Sequence, residues 1–271
     1  LQYTVGLRIG WLTDIHLNFV SPQKRTALYS QLRERELDAI LLGGDIGEAD
    51  SVTRFLAEIE SELQMPVYFV LGNHDFYRGS IAKVRDAVAR QAAESRWLRW
   101  LPSSGVVPLT ATTALIGHDS WADGRLGDFF RSGVLLNDYL LISELRVQGK
   151  KARYAQLNAL GDEAAEFLAR RSCEALAGRS DIFVLTHAPP FRESCWHEGR
   201  ISDNHYLPHF ACQAVGDRLA AIMRDRPSKT MTVLCGHTHS SGSARILDNL
   251  IVHTGQAQYG EPALQRVFEL E

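Results

Sequence analysis

The chain has 271 residues, 45% of them hydrophobic, and a net charge of −3 at pH 7, enough to bury the core of one large α/β domain. With a pI near 6.4 it carries no global basic field that would draw it to nucleic acid or an anionic membrane. No apolar run approaches the roughly 20 residues of a membrane span. The start shows no signal-peptide pattern, although the chain begins at Leu1 rather than Met, which leaves room for a removed segment. Cys173, Cys195, Cys212 and Cys235 show no CxxC pairing, as expected of reduced, structural thiols in a cytoplasmic protein.

In chain order, Leu7–Leu12 reads as a strand with a tight exit at Thr13 and Asp14. Ser21 and Pro22 supply the N-cap and first position of a helix running to about Glu36. Ala39–Leu42 is a short buried strand that ends on Gly43 and Gly44, where the backbone can turn sharply. Asp50 or Ser51 opens a second helix, with Val52, Phe55, Leu56, Ile59 and Leu63 on one face. Pro66 introduces a strand over residues 67–71. This alternation predicts a sheet with helices packed on both faces.

A third helix is expected over about residues 80–95. Residues 97–101, 106–109 and 113–116 are then short, β-like and close together, with a turn at 102–105, which suggests an antiparallel stretch or a second sheet. Residues 119–155 and 189–209 are irregular and read as insertions lying over something. A long helix over about 154–176 and the strand Asp181–Thr186 separate them. A helix over 211–225, the strand Thr230–Cys235 and closing strands at 244–247, Leu250–Thr254 and Arg266–Leu270 complete the chain. With no repeat or linker, residues 1–271 are expected to form a single domain.

Polar groups follow directly after the apolar runs: Asp14-Ile15-His16, Gly43-Gly44-Asp45, Gly72-Asn73-His74-Asp75, Thr186-His187 and Gly236-His237-Thr238-His239. Placed at the C-terminal ends of strands in one sheet edge, they would converge as a metal-site inventory. Divalent first-row ions accept imidazole, carboxylate and amide oxygen together. Two ions about 3.5–4 Å apart need one shared carboxylate, and Asp45, third in a glycine-rich turn, suits that bridge. The lack of Cys at these positions argues against a closed structural zinc site.

The order DxH, GD, GNHD, H, GHTH, spanning residues 14 to 239, resembles the calcineurin-like metallophosphoesterases. The resemblance implies a four-layer αββα sandwich of two mixed sheets flanked by helices, with a dinuclear metal site at the strand C-terminal ends. One divalent ion would take Asp14, His16, Asp45 and His239, and the other Asp45, Asn73, His187 and His237, the metals being Mn, Fe or Zn. His74 would contact the phosphate and protonate the leaving oxygen, with Asp75 orienting it through the other ring nitrogen. Implied is a hydrolase of phosphomono- or phosphodiesters that uses hydroxide generated by the ions.

The phosphatase branch of that family has an Asp-Arg soon after its GD motif, and residues 44–50 here lack the Arg. This points away from protein Ser/Thr phosphatases and toward small-molecule or nucleotide esters. A nuclease acting on DNA or RNA ends is the alternative, with the acidic charge against it, and a non-catalytic scaffold the third. Arg125, Arg131, Arg192, Arg200 and His197, all in the two insertions, are the candidates for reading substrate. Trp121, after His118 and Asp119 at a strand end, is either packing or rim, Cys235 is core, and His253 is structural.

Overall fold

The computed structural model describes residues 6–271. The first half of the chain runs β1 (Leu7–Leu12), α1 (Pro22–Glu34), β2 (Ala39–Leu42), α2 (Val52–Leu63), β3 (Val67–Phe69), α3 (Ile81–Glu94), β4 (Leu98–Trp100), α4 (Leu101–Ser104), β5 (Val107–Pro108) and β6 (Thr113–His118). A helical turn, α5 (Asp138–Leu141), lies in the first insertion, followed by the long α6 (Lys150–Gly178) and β7 (Asp181–Thr186). The second insertion holds a small hairpin, β8 (Trp196–His197) with β9 (Arg200–Ile201), and α7 (Leu207–Phe210). The chain closes with α8 (Gln213–Arg224), β10 (Thr230–Cys235), β11 (Gly242–Leu247), β12 (Leu250–Thr254) and β13 (Arg266–Leu270).

Two mixed sheets result. One has the order β13-β1-β2-β3-β4 and the other β11-β12-β10-β7-β6-β5. Within them β1 to β4 are mutually parallel, as are β6, β7, β10 and β12. Strand periodicity explains the layering. Ile40 and Leu42 of β2 face the helices α1 to α3, whereas Ile9, Trp11 and Leu41 turn inward against Leu115, Phe183, Leu185 and Leu234 of the other sheet. Ile116, Val184 and Val233 on the far face pack against Leu168, Leu219 and Met223 of α6 and α8. Helix, sheet, sheet, helix: the four layers implied by the resemblance are present.

Local differences from the sequence expectation have local causes. β4 joins the first sheet in parallel with β3, because α3 provides the crossover a parallel neighbour needs. Only β5 and β6 are antiparallel in that stretch, and the expected turn at 102–105 is the helical α4 with Pro102 in its first turn. Ser21 caps α1 through the Lys24 amide as expected, while Ser51 precedes α2 without a capping bond, its hydroxyl turned to Glu48 instead.

The two insertions clasp each other. Gly127 packs against the Asn204 carbonyl and the Asp128 amide donates to that same oxygen. Buried His209 is held by the Ser132 hydroxyl on Nε2 at 3.0 Å and the Tyr139 hydroxyl on Nδ1 at 2.5 Å. Burial, with Lys150 and Arg153 nearby, lowers its pKa from 6.5 to about 4. A depressed folded value means that the contribution is whole above pH 6.5 and is lost as the pH falls through 4. His209→Gln should therefore flatten the pH dependence of the urea midpoint between pH 6.5 and 4, by at most about 1.4 kcal/mol per pH unit for the one proton. Parallel profiles for the two proteins would refute this.

Candidate metal centre

The parallel strands bring every motif group to one place, but from two sheets rather than from the edge of the single sheet expected. β1 leads to Asp14 and His16, β2 to Asp45, and β3 to Asn73, all from the first sheet. β7 and β10 of the second sheet lead to His187 and to His237 and His239. The turns are forced. Asp14, His16, Asp45, His237 and His239 all have left-handed backbone, with φ of 51°, 39°, 52°, 72° and 59°, a costly state for residues other than glycine that is stored where side chains must be aimed. Gly72 and Gly236 permit the close approach: a Cβ on either would collide with the Asp45 or Asp14 carboxylate respectively.

Asp14, His16, Asp45 and His239 each offer an atom such that all four lie within 4.8 Å of one another. His16 Nε2 is 3.1 Å from His239 Nε2 and 3.7 Å from Asp45 Oδ2, and His239 Nε2 is 3.5 Å from Asp14 Oδ1. Asp14 is itself fixed by the Thr13 hydroxyl at 2.6 Å and the His237 amide at 2.9 Å.

The second group meets on the other side of Asp45. His187 Nδ1 lies 2.9 Å from the Gly43 carbonyl oxygen, which can only accept, so in the neutral ring Nε2 presents a lone pair. His237 Nε2 likewise faces the His209 carbonyl, leaving Nδ1 as acceptor. Asn73 Nδ2 donates to Asp138 Oδ1 at 2.8 Å and to the Tyr77 hydroxyl, so its Oδ1 must point inward. That oxygen then sits 3.0 Å from His187 Nε2 and 2.9 Å from His237 Nδ1, with the two nitrogens 3.2 Å apart. Three acceptors in contact without a proton among them are repulsive unless a cation lies between them. Asp45 Oδ1 is 3.5 Å from His187 Nε2, so the Asp45 carboxylate turns one oxygen to each group. Oxygen and imidazole donors in this mixture fit divalent first-row ions.

Electrostatics match. Burial, then the charges of Asp14 and Asp75, raise Asp45 well above the usual carboxylate range. Burial acts on Asp14 too, but the contact with His239 and the neighbouring imidazoles outweigh it and bring Asp14 far down. Burial lowers His16 to about 2 and His237 to about 3, keeping both rings neutral and able to ligate. His74 is also lowered to about 3, by burial and then by His187. Its ring stacks on Tyr77 at 4.2 Å, its Nδ1 has no partner, and its backbone amide donates to Asp45 Oδ1.

Asp75 does not orient His74. Its carboxylate is fully buried and accepts from the amides of Ile46, Gly47 and Gly72 at 2.8–2.9 Å, bracing the β2 and β3 loops together. Asp119, buried behind the site, accepts from the Leu71 amide, Trp100 Nε1 and Arg85, and Trp121 packs on Phe76. Cys235 is core, as expected.

A cleft of about 400 Å3 opens over Asp45, Asn73, His237 and His239, with His74, Tyr77, Asp138, His197, Phe210 and Tyr259 among its other walls. Of the five candidates for substrate contact, only His197 lines it. Arg125 is paired with Asp123 and Asp162, Arg131 projects into solvent beside Asp128, Arg192 donates to Asn204, and Arg200 is exposed on β9. Asp138, Tyr77 and Tyr259 were outside the sequence expectation. The GNHD motif hides the first two, since only the fold shows that the Asn73 amide needs a partner 65 residues away. Tyr259 lies in a closing loop with no motif.

The sequence model of the Calcineurin-like phosphoesterase family matches residues 7–241. No curated protein sequence matches significantly. Among solved structures, phosphopantetheinyl hydrolase from Mycobacterium tuberculosis is similar with a TM-score of 0.64 at 13% identity, over 94% of this chain and 91% of that one. A dimetal phosphatase from Danio rerio gives 0.57 at 14% identity, over 92% and 87%. A protein from Thermus thermophilus gives 0.53 at 13% identity, over 93% and 89%. At such identities these structures speak for the fold alone, but with the family match and the paired acceptor groups about Asp45 they lead to one statement: the chain belongs to the calcineurin-like phosphoesterases, phosphoric ester hydrolases built around two divalent metal ions.

Proposed function

We propose that the protein hydrolyses small-molecule phosphate esters, with one ion held by Asp14, His16, Asp45 and His239 and the other by Asp45, Asn73, His187 and His237. The observation that carries this reading is Asp45, whose two oxygens face the two groups separately. Mn, Fe or Zn would suit these donors. When bound, such a pair neutralises phosphoryl charge and activates water for attack. Asp14 and Asp45 are held by backbone amides on one side, so their free lone pairs stay aimed.

His74 lines the cleft beside Asp45 and Asn73. With a pKa held down at about 3, the free ring is neutral at pH 7 and offers an N–H to a phosphoryl or leaving-group oxygen. The negative charge of bound substrate raises that pKa, so that the ring first takes up a proton from solvent and, as imidazolium, gives it to the departing oxygen, returning to the neutral form. All four cysteines are free thiols, which suits a reducing, cytoplasmic setting. Among the described residues no helix is long and apolar enough to cross a membrane. The described chain is read as one catalytic domain carrying one site.

A nuclease is the weaker reading, because chain-like substrates need Lys and Arg for flanking phosphates and the four insertion arginines lie off the cleft.

Two substitutions separate the roles. His74→Asn should leave metal content intact and cut turnover by roughly 10²–10⁴-fold, the range for proton transfer; unchanged turnover would remove His74 from the chemistry. Asp45→Asn should lower both turnover and the metal retained after desalting. Full occupancy of the purified variant, measured by elemental analysis, would contradict the bridging role.

A further inference from the structure

The walls of the cleft add no cationic side chain to the metal centre. Among the described residues lining it there is no Lys or Arg. Beyond Asp45 and the imidazoles, its ionisable walls are Asp138, Glu198 and two tyrosines. Asp138 is committed to Asn73 and Tyr77, so both acids present oxygen and neither presents a donor. Several basic side chains of the flanking segments are engaged elsewhere, Lys24 with Glu261, Lys150 with the Phe130 and Ser132 carbonyls and Arg192 with Asn204, while Arg200 on β9 is exposed and off the cleft.

Aromatic shelves flank the two ligand groups. Tyr259 lies 4.6 Å from His16 and 5.2 Å from His239 and continues to Phe19 at 4.9 Å. On the other side Phe210 lies 5.4 Å from His237, with Tyr206 stacked on it at 5.5 Å and His197 at 5.0 Å. Phe19, Tyr259 and Tyr206 are 52%, 49% and 38% exposed. Exposed apolar side chains clustered at the mouth of a polar cleft are one mark of a ligand-binding groove.

We propose that the substrate is a singly charged phosphodiester whose two organic arms lie on these two shelves, at least one arm being aromatic or otherwise flat and apolar. This rests on the phosphoesterase reading above. A monoester has only one arm and, with a second pKa near 6, brings a second negative charge that the ions alone would have to meet, since no guanidinium or ammonium lines the cleft. In the reaction one P–O bond forms from water and one ester P–O bond breaks, and the departing oxygen takes up a proton. The products are an alcohol or phenol and a monoester, which the acidic wall repels and so releases.

The Mn2+-loaded protein should hydrolyse bis(p-nitrophenyl) phosphate with kcat/KM at least about tenfold above that for p-nitrophenyl phosphate at pH 8, although the monoester has one arm fewer to accommodate. By calorimetry on the same protein, Tyr206→Ala and Tyr259→Ala should each weaken diphenyl phosphate about fivefold or more, the range of a lost stacking contact, and weaken dimethyl phosphate much less. Glu198→Lys should raise monoester kcat/KM. All three positions are at the surface, and melting curves check that the variants fold. Equal or better turnover of the monoester, or unchanged diphenyl phosphate affinity in both tyrosine variants, overturns the proposal and leaves the phosphoesterase reading intact. Faster cleavage of a single-stranded oligonucleotide than of the diaryl ester replaces it with a nuclease. Hydrolysis of no ester with Mn2+, Zn2+ or Fe2+ removes the phosphoesterase reading, and this proposal with it.

Discussion

Lone pairs that face one another with no proton to share are the constraint to which this fold answers. The Asn73 oxygen and the ring nitrogens of His187 and His237 are pressed together at about 3 Å, an arrangement that repels in the absence of positive charge. Nothing in the three residues alone would maintain it. It persists because each donor face is engaged outward: Asn73 by Asp138 and Tyr77, His187 by the Gly43 carbonyl, His237 by that of His209. Aiming the acceptors inward is therefore the work of the surrounding backbone, and the two packed sheets exist in register to supply it.

Three buried carboxylates away from the ligand groups do much of that bracing. Asp75 ties the loop after β2 to the loop after β3 through three amides. Asp119, at the end of β6 in the second sheet, accepts from Leu71 in the first, while its own carbonyl accepts from the His187 amide. Asp138 reaches in from the first insertion to set the Asn73 amide. A buried carboxylate is expensive unless fully hydrogen-bonded. Each of these accepts from at least one segment other than its own, so each fixes one segment's position against another's.

The strand ends were legible because strands buried on both faces read as unbroken apolar runs, and the polar residue that follows such a run has few places to be. That is why Asp14, Asp45, Asn73, His187 and His237 can be placed at strand ends from the sequence alone, although the one sheet edge expected there is two, the last two residues belonging to the second sheet. The arginines could not be placed this way. Arg125 looked free for phosphate, but its partners are Asp123, two residues away, and Asp162 on α6, and pairing across 37 residues leaves no periodic trace. The resemblance implies that Asp75 orients His74, whereas the 3-10 turn at His74–Phe76 points its carboxylate back under the loops. Tyr259 and Tyr77 belong to the site by virtue of tertiary packing, which residue type does not announce.

The mutual clasp of the two insertions has a consequence for how such an enzyme can change. Ser132, Tyr139 and Asn204 bind across it, and His209 lends its ring to one side and its carbonyl to His237 on the other. Grafting in a foreign version of either loop alone would strand hydrogen-bonding groups in the interior and loosen the grip on His237. Diversification in this scaffold should thus proceed by paired exchange, both loops inherited together as one heritable cassette over an unaltered catalytic floor.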